Sequence, residues 1–202
     1  MKEIYSTYPK ELLPSLPTAA FPGRIVVVQS EGEAEKAADC LLAGDMIGVD
    51  TETKPSFRKG ENNKVALLQA SLDDVCFLFR IGRIGMVPPV LRLLENTSVP
   101  MVGLSLRDDI LSLKRRCSFS PGMFIDLQDV AGSIGIADKS LQKMYANLMG
   151  MKISKRQQLS NWNADVLSDK QKLYAATDAW ACLQMYRELA MLNDNGEYRL
   201  IG

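Results

Sequence analysis

Asp50 and Glu52 stand two positions apart at the end of the apolar run Met46-Ile47-Gly48-Val49. On a strand that spacing puts both carboxylates on one face. Two like charges side by side at the end of a buried strand repel, and one is driven to keep its proton unless a cation lies between them. A divalent metal ion is the simplest resolution; a solvated strand end with no ligand is the other reading of an Asp-x-Glu taken alone. Tyr174 and Asp178, four residues apart, share one face of a predicted helix amid Leu173, Ala175, Ala176, Ala179 and Trp180. A carboxylate among alanines and an indole needs a partner, and a phenol one turn away reaches the same point in space. The alternative is an exposed aspartate beside a core tyrosine. A third acidic pair, Asp108-Asp109, lies early in another predicted helix, where the macrodipole alone favours negative charge.

Composition removes several competing chemistries. The 202 residues include no histidine, so no Ser-His-Asp triad, Cys-His pair or HExxH zinc site exists in this chain. Cys40, Cys76, Cys117 and Cys182 form no CxxC pair and read as small apolar residues in a reducing compartment. Lysine plus arginine total 24 and aspartate plus glutamate total 24, so the formal charge is zero and bulk charge alone holds no partner. No charged leader opens the chain and no stretch approaches the roughly 20 apolar residues of a membrane span, which predicts a soluble, cytoplasmic protein. Three short basic clusters offer phosphate contacts, with a solvated face as the plain alternative for each: Lys54, Arg58 and Lys59; Lys114 to Arg116; and Lys152, Lys155 and Arg156.

The elements that must carry these residues follow from periodicity and punctuation. Residues 1–23 hold four of the nine prolines and no sustained apolar period, and read as an extended N-terminal arm preceding one domain over 24–202. A β-branched run from Arg24 to Val28 predicts a buried strand, and Ser30 with Glu33 has capping-box spacing for a helix through Leu42. Strands are expected at Met46–Glu52, Val65–Ala70, Val75–Phe79, Val99–Leu104 and Met123–Ile125. Helices are expected at Pro88–Glu95, from after Leu104 to about Arg116, at Leu127–Ser133 and Leu141–Met149, and from a Ser168/Gln171 capping box to about Leu192. Hairpin-like strands followed by strand-helix alternation predict an α/β single domain, a mixed β-sheet flanked by α-helices.

The order Asp-x-Glu on a strand, Asp early in a helix, then Tyr-x-x-x-Asp on the last helix resembles the tyrosine-containing branch of the DEDD 3′–5′ exonucleases. The detail is similar to the exonuclease domain of the Werner syndrome protein and to ribonuclease D. Four segments carry the resemblance, which spans about residues 21–192: Ile47-Gly48-Val49-Asp50-Thr51-Glu52, Lys64-Val65-Ala66-Leu67-Leu68-Gln69, Leu159-Ser160-Asn161-Trp162, and Gln171 through Ala179. It implies an RNase H-like fold and a two-metal phosphodiesterase that releases nucleoside 5′-monophosphates from the 3′ end of DNA or RNA. In that picture Asp50 bridges two ions, Glu52 and Asp178 complete the nucleophile-side site, and Asp109 holds the other through water. Asp109 is preferred to Asp108 because it lies six positions after Gly103, as in the family.

Hard oxygen ligands imply Mg²⁺ or Mn²⁺. Such ions acidify bound water and stabilise the departing 3′ oxygen, which explains how the chemistry dispenses with imidazole. Tyr174 then orients the attacking water, since a phenol of pKa near 10 is a poor base at neutral pH. The sister branch has histidine at the Tyr174 position, so a histidine-free chain belongs to the tyrosine branch or is inactive. Thr51, Leu104 and Leu106 occupy places where relatives line the terminal nucleotide's pocket, with Lys54, Arg58, Lys155 and Arg156 as further substrate contacts. Two other functions compete: a catalytically silent nucleic-acid-binding or interaction module of the same fold, and an aspartyl-phosphate phosphatase, which would need a second aspartate where Glu52 stands. The short chain leaves room for a protein partner in targeting.

Overall fold

A computed structural model describes residues 1–56 and 63–202. In chain order the elements are β1 (Lys2–Tyr5), a 3-10 turn (Lys10–Ser15), β2 (Arg24–Val28), α1 (Glu31–Leu42), β3 (Ile47–Thr53), β4 (Val65–Ser71), β5 (Val75–Phe79), α2 (Ile81–Ile84), α3 (Pro88–Leu94), β6 (Met101–Gly103), α4 (Leu106–Lys114), β7 (Phe124–Asp126), α5 (Leu127–Ser133), α6 (Leu141–Met149), α7 (Asp169–Asn195) and β8 (Tyr198–Ile201). Both predicted capping boxes form: Ser30 accepts from the Glu33 N–H, Ser168 from the Gln171 N–H, and each partner side chain reaches back.

Six strands make a mixed sheet in the order β2-β5-β4-β3-β6-β7. The β3/β4 and β4/β5 pairs are antiparallel, and β2/β5, β3/β6 and β6/β7 are parallel. Every residue of β4 and β5 is buried, as a sheet covered on both faces requires. One face packs on α1, α3 and α4 through Ile47, Val49, Leu68, Phe77 and Phe79. The other packs on α7 and its neighbours α5 and α6. On that second face β3 presents Gly48, Asp50 and Glu52, alternate residues of one strand. A Cβ at Gly48 would collide with the backbone carbonyl of Ala179, so the absence of a side chain there lets α7 lie directly on the strand.

Residues 1–23 are more built than an extended arm. Ile4 is fully buried, Tyr8 and Leu13 nearly so. β1 pairs in parallel with β8 as a separate two-stranded sheet, Lys2 opposite Tyr198. Its outer edge is capped by one side chain: Asn147 Oδ1 accepts from the Tyr5 N–H at 2.9 Å, and Asn147 Nδ2 donates to the Tyr5 carbonyl at 2.7 Å. Asp138 accepts from the Tyr8 N–H at 2.6 Å. The segment is thus fastened across α6 by long-range bonds that carry no local sequence signal.

Candidate active site

The three carboxylates of Asp50, Glu52 and Asp178 each bring an oxygen to within 4.8 Å of the others. β3 supplies the first two from one face, and α7, seated on Gly48, supplies the third. Burial is the main reason all three hold protons above their ordinary range. Asp50 is pushed well up by burial and then by the charges of Asp109, Asp178 and Glu52. Glu52 rises to about 9 through burial and the charges of Asp178 and Asp109. Asp178 rises to about 7 through burial, opposed by a hydrogen bond from Tyr174 and by the Lys155 ammonium. Its Oδ1 is buried with no donor among the described residues. Crowded, buried carboxylates short of donors are the ligand set of a hard divalent cation, so these residues fit such an ion.

Tyr174 stands one turn before Asp178, its ring 6.0 Å from that of Trp162. Burial, followed by the charges of Asp178 and Glu52, drives its hydroxyl far above the usual phenol range. It is a donor that stays protonated.

Asp109 lies one step away from the three-carboxylate cluster. The Thr51 hydroxyl, on the opposite face of β3, donates to Asp109 Oδ1. Burial lifts the Asp109 carboxyl to about 6, the Thr51 bond pulls down, and Asp108 and Asp126 push up. Its neighbour Asp108 is exposed. The helix that carries both is aimed by Asp126, whose Oδ1 accepts from the Ser105 N–H at 3.0 Å and whose Oδ2 accepts from the Leu106 N–H at 2.8 Å. Ser105 takes a left-handed conformation (φ 60°), a strained N-cap held by these bonds. Asp126 also caps α5, accepting from the Gln128 N–H at 2.9 Å.

A cavity of about 370 Å³ opens over the cluster. Of the sequence-derived contacts, Thr51, Leu104 and Lys155 line it. Leu106 is buried and faces Asp109 in the packing under α4, so the two leucines do not share a wall. Arg156 lines an adjoining hollow on the other side of Tyr174, and Lys54 is absent from the cavity wall. Arg58 and Lys59 lie outside the described residues. The cluster at Lys114 to Arg116 serves the fold: Lys114 sits 5.7 Å over the Phe119 ring and Arg116 Nε donates to the Val65 carbonyl. Residues not singled out from the sequence complete the wall, including Lys139, Ser140, Gln142, Ser154, Gln158 and Cys182. Only Cys182 had a readable signal, since it continues the four-residue spacing of Tyr174 and Asp178 along α7.

A profile of 3′–5′ exonucleases matches residues 25–192. The chain is 33 % identical over 199 residues to the mouse bifunctional 3′–5′ exonuclease/ATP-dependent helicase WRN, an alignment covering 91 % of this chain and 14 % of that protein. It is 31 % identical over 196 residues to a 3′–5′ exonuclease of Arabidopsis thaliana, covering 89 % of this chain and 68 % of that one. Among solved structures it superposes on the exonuclease domain of Aedes aegypti Nibbler with a TM-score of 0.79 at 19 % identity, covering 90 % of this chain and 95 % of that one. At that identity the likeness speaks for the fold, an RNase H-like mixed sheet between helices.

Proposed function

Because the chain belongs to the 3′–5′ exonuclease family, we propose that its carboxylate cluster shortens DNA or RNA from the 3′ end and releases nucleoside 5′-monophosphates. One observation carries the reading: Asp50, Glu52 and Asp178 from two elements crowd their oxygens within 4.8 Å. Asp50, Glu52 and Asp178 would hold one Mg²⁺ or Mn²⁺ ion, and Asp109 with Asp50 a second. A pair of such ions acidifies water, neutralises the scissile phosphate and steadies the departing 3′ oxygen.

The remaining work falls to the chain's own groups. Tyr174 keeps its proton at neutral pH, donates to Asp178, and lines the cavity over the cluster, where an attacking water would be held. It orients that water and does not deprotonate it. Lys155 places a cation at the mouth of an acidic cavity and Leu104 an apolar wall within it, a combination suited to the phosphate and base of a terminal nucleotide. No acidic position of the motif is replaced, so nothing favours the silent module. The test is a 5′-labelled single strand or recessed duplex, in DNA and in RNA, incubated with Mg²⁺ or Mn²⁺. A ladder of shortened products that disappears in Asp50→Ala supports the reading, and no shortening with either metal overturns it.

A further inference from the structure

Gln69, in β4, has both carboxamide atoms buried and without a hydrogen-bond partner among the described residues. The residue directly opposite it across the antiparallel ladder is Asp50. Residues so paired point to one face with Cβ atoms about 4.5–5.5 Å apart. That face is the one α7 covers, as the close approach of Ala179 to Gly48 shows. On α7, which covers that face, sits the complementary orphan, Asp178 Oδ1, a buried acceptor with no donor among the described residues, as Gln69 Nε2 is a buried donor with no acceptor among them. A second orphaned donor belongs to the apolar cluster around Gln69. Trp162 Nε1 is buried and unpaired, and its ring shares an apolar cluster with Leu67 and Leu78, the same-face and cross-strand neighbours of Gln69.

The other polar side chain on this stretch of β4 is closed on itself, Ser71 Oγ donating to the Leu72 carbonyl at 2.8 Å. Packing alone would be served better by methionine or leucine, which leave no polar atom unmet in a dry interior. We propose that Gln69 is a positioning residue for the carboxylate cluster. Its carboxamide nitrogen, directly or through one enclosed water, donates to the inward oxygens of Asp50 and Asp178, while its oxygen accepts from Trp162. The outward carboxylate oxygens are thereby turned toward the cation site. This inference rests on the cluster's holding metal, as the function proposed above requires.

The experiment uses the full chain and its Gln69→Met variant, of similar volume and without hydrogen-bonding groups. Mn²⁺ binding is followed by calorimetry, kcat and KM on a 5′-labelled strand, and melting in chelator. The expected result is Mn²⁺ affinity and kcat each lower by about 10–100-fold, with KM for the strand unchanged and the melting temperature not lowered. A variant that melts lower yet keeps wild-type affinity and kcat overturns the inference, as does one identical to wild type. Should the variant fail to fold or lose stability and rate together, the wild-type chain labelled with ¹⁵N-glutamine decides. Slowly exchanging Gln69 side-chain amide signals that move on adding Mg²⁺ support the role, and rapidly exchanging, unmoved signals overturn it. A wild-type chain that cleaves while the variant matches it removes this inference alone. A wild-type chain that binds Mn²⁺ more tightly than the variant without cleaving removes the nuclease reading alone, and one that does neither removes both.

Discussion

Asp126, half-buried, and Asp178, buried, lie within one domain and are furnished in opposite ways. Asp126 accepts three backbone N–H bonds, from Ser105, Leu106 and Gln128, at 2.8–3.0 Å, and ties the starts of α4 and α5 together. Asp178 is 4 % exposed, receives one hydroxyl from Tyr174, and leaves Oδ1 with nothing. Around Asp126 the chain supplies the compensation itself. Around Asp178 it adds more carboxylates. Donor count therefore separates a carboxylate that organises the fold from one left fit for a cation, a distinction residue type alone does not make.

Exchanging the two sites' fates in experiment would break this contrast. The largest effect is expected at the poorly furnished site: Asp178→Asn should cut cleavage by roughly 10³-fold or more while raising the melting temperature in chelator at pH 8, because it removes a buried charge crowded by other carboxylates and short of donors. Parallel rate and melting measurements check it, and a variant that melts lower would count against the contrast. The next effect lies at the well-furnished site. Asp126→Ala should lower stability by about 2–3 kcal/mol, the loss of charge-assisted bonds and a helix cap, read from denaturant unfolding, with Mn²⁺ still bound by the variant.

A smaller effect is linked to pH. Asp50, Glu52, Asp109 and Asp178 bind protons more tightly folded than unfolded, where carboxyls titrate near about 4. The folded chain therefore carries the excess protons, and stability falls as pH rises. The contribution is whole below about pH 4 and is lost as pH climbs past about 6 for Asp109, about 7 for Asp178 and about 9 for Glu52. Melting in chelator should drop by several degrees between about pH 5.5 and about pH 9, roughly 3.5 units, and saturating Mn²⁺ should flatten the slope. A slope unchanged by Mn²⁺ would mean the cluster meets no cation.

Much of this was legible in the sequence where the signal is local. Capping boxes at Ser30 and Ser168 placed two helix starts to the residue, and the β-branched and apolar runs placed the six strands of the main sheet within one or two positions. The Asp-x-Glu and Tyr-x-x-x-Asp spacings were readable because strand and helix periods turn them into shared faces. What escaped depends on contacts between distant segments. The β1/β8 pair joins Lys2 to Tyr198, and neither strand is long or apolar enough to announce itself. α2 is a single turn without a side-chain cap. Gln69 sits inside the segment Lys64 to Gln69, and its singular position, one amide in a wholly buried strand, acquires meaning only when the register sets it opposite Asp50. Leu106 was grouped with Leu104 through the family resemblance, yet the helix begins between them and sends the two side chains to different cavities.

Gly48 has one more implication. With no methyl group between strand and helix, the gap separating Asp50 from Asp178 is gauged by the thickness of two bare backbones, a dimension that neither rotamer choice nor solvent can alter. The spacing of the carboxylate cluster is thus calibrated by main-chain contact rather than by its acidic side chains. A single added carbon at this distant-seeming position would prise the jaws apart while leaving every acidic residue in the sequence.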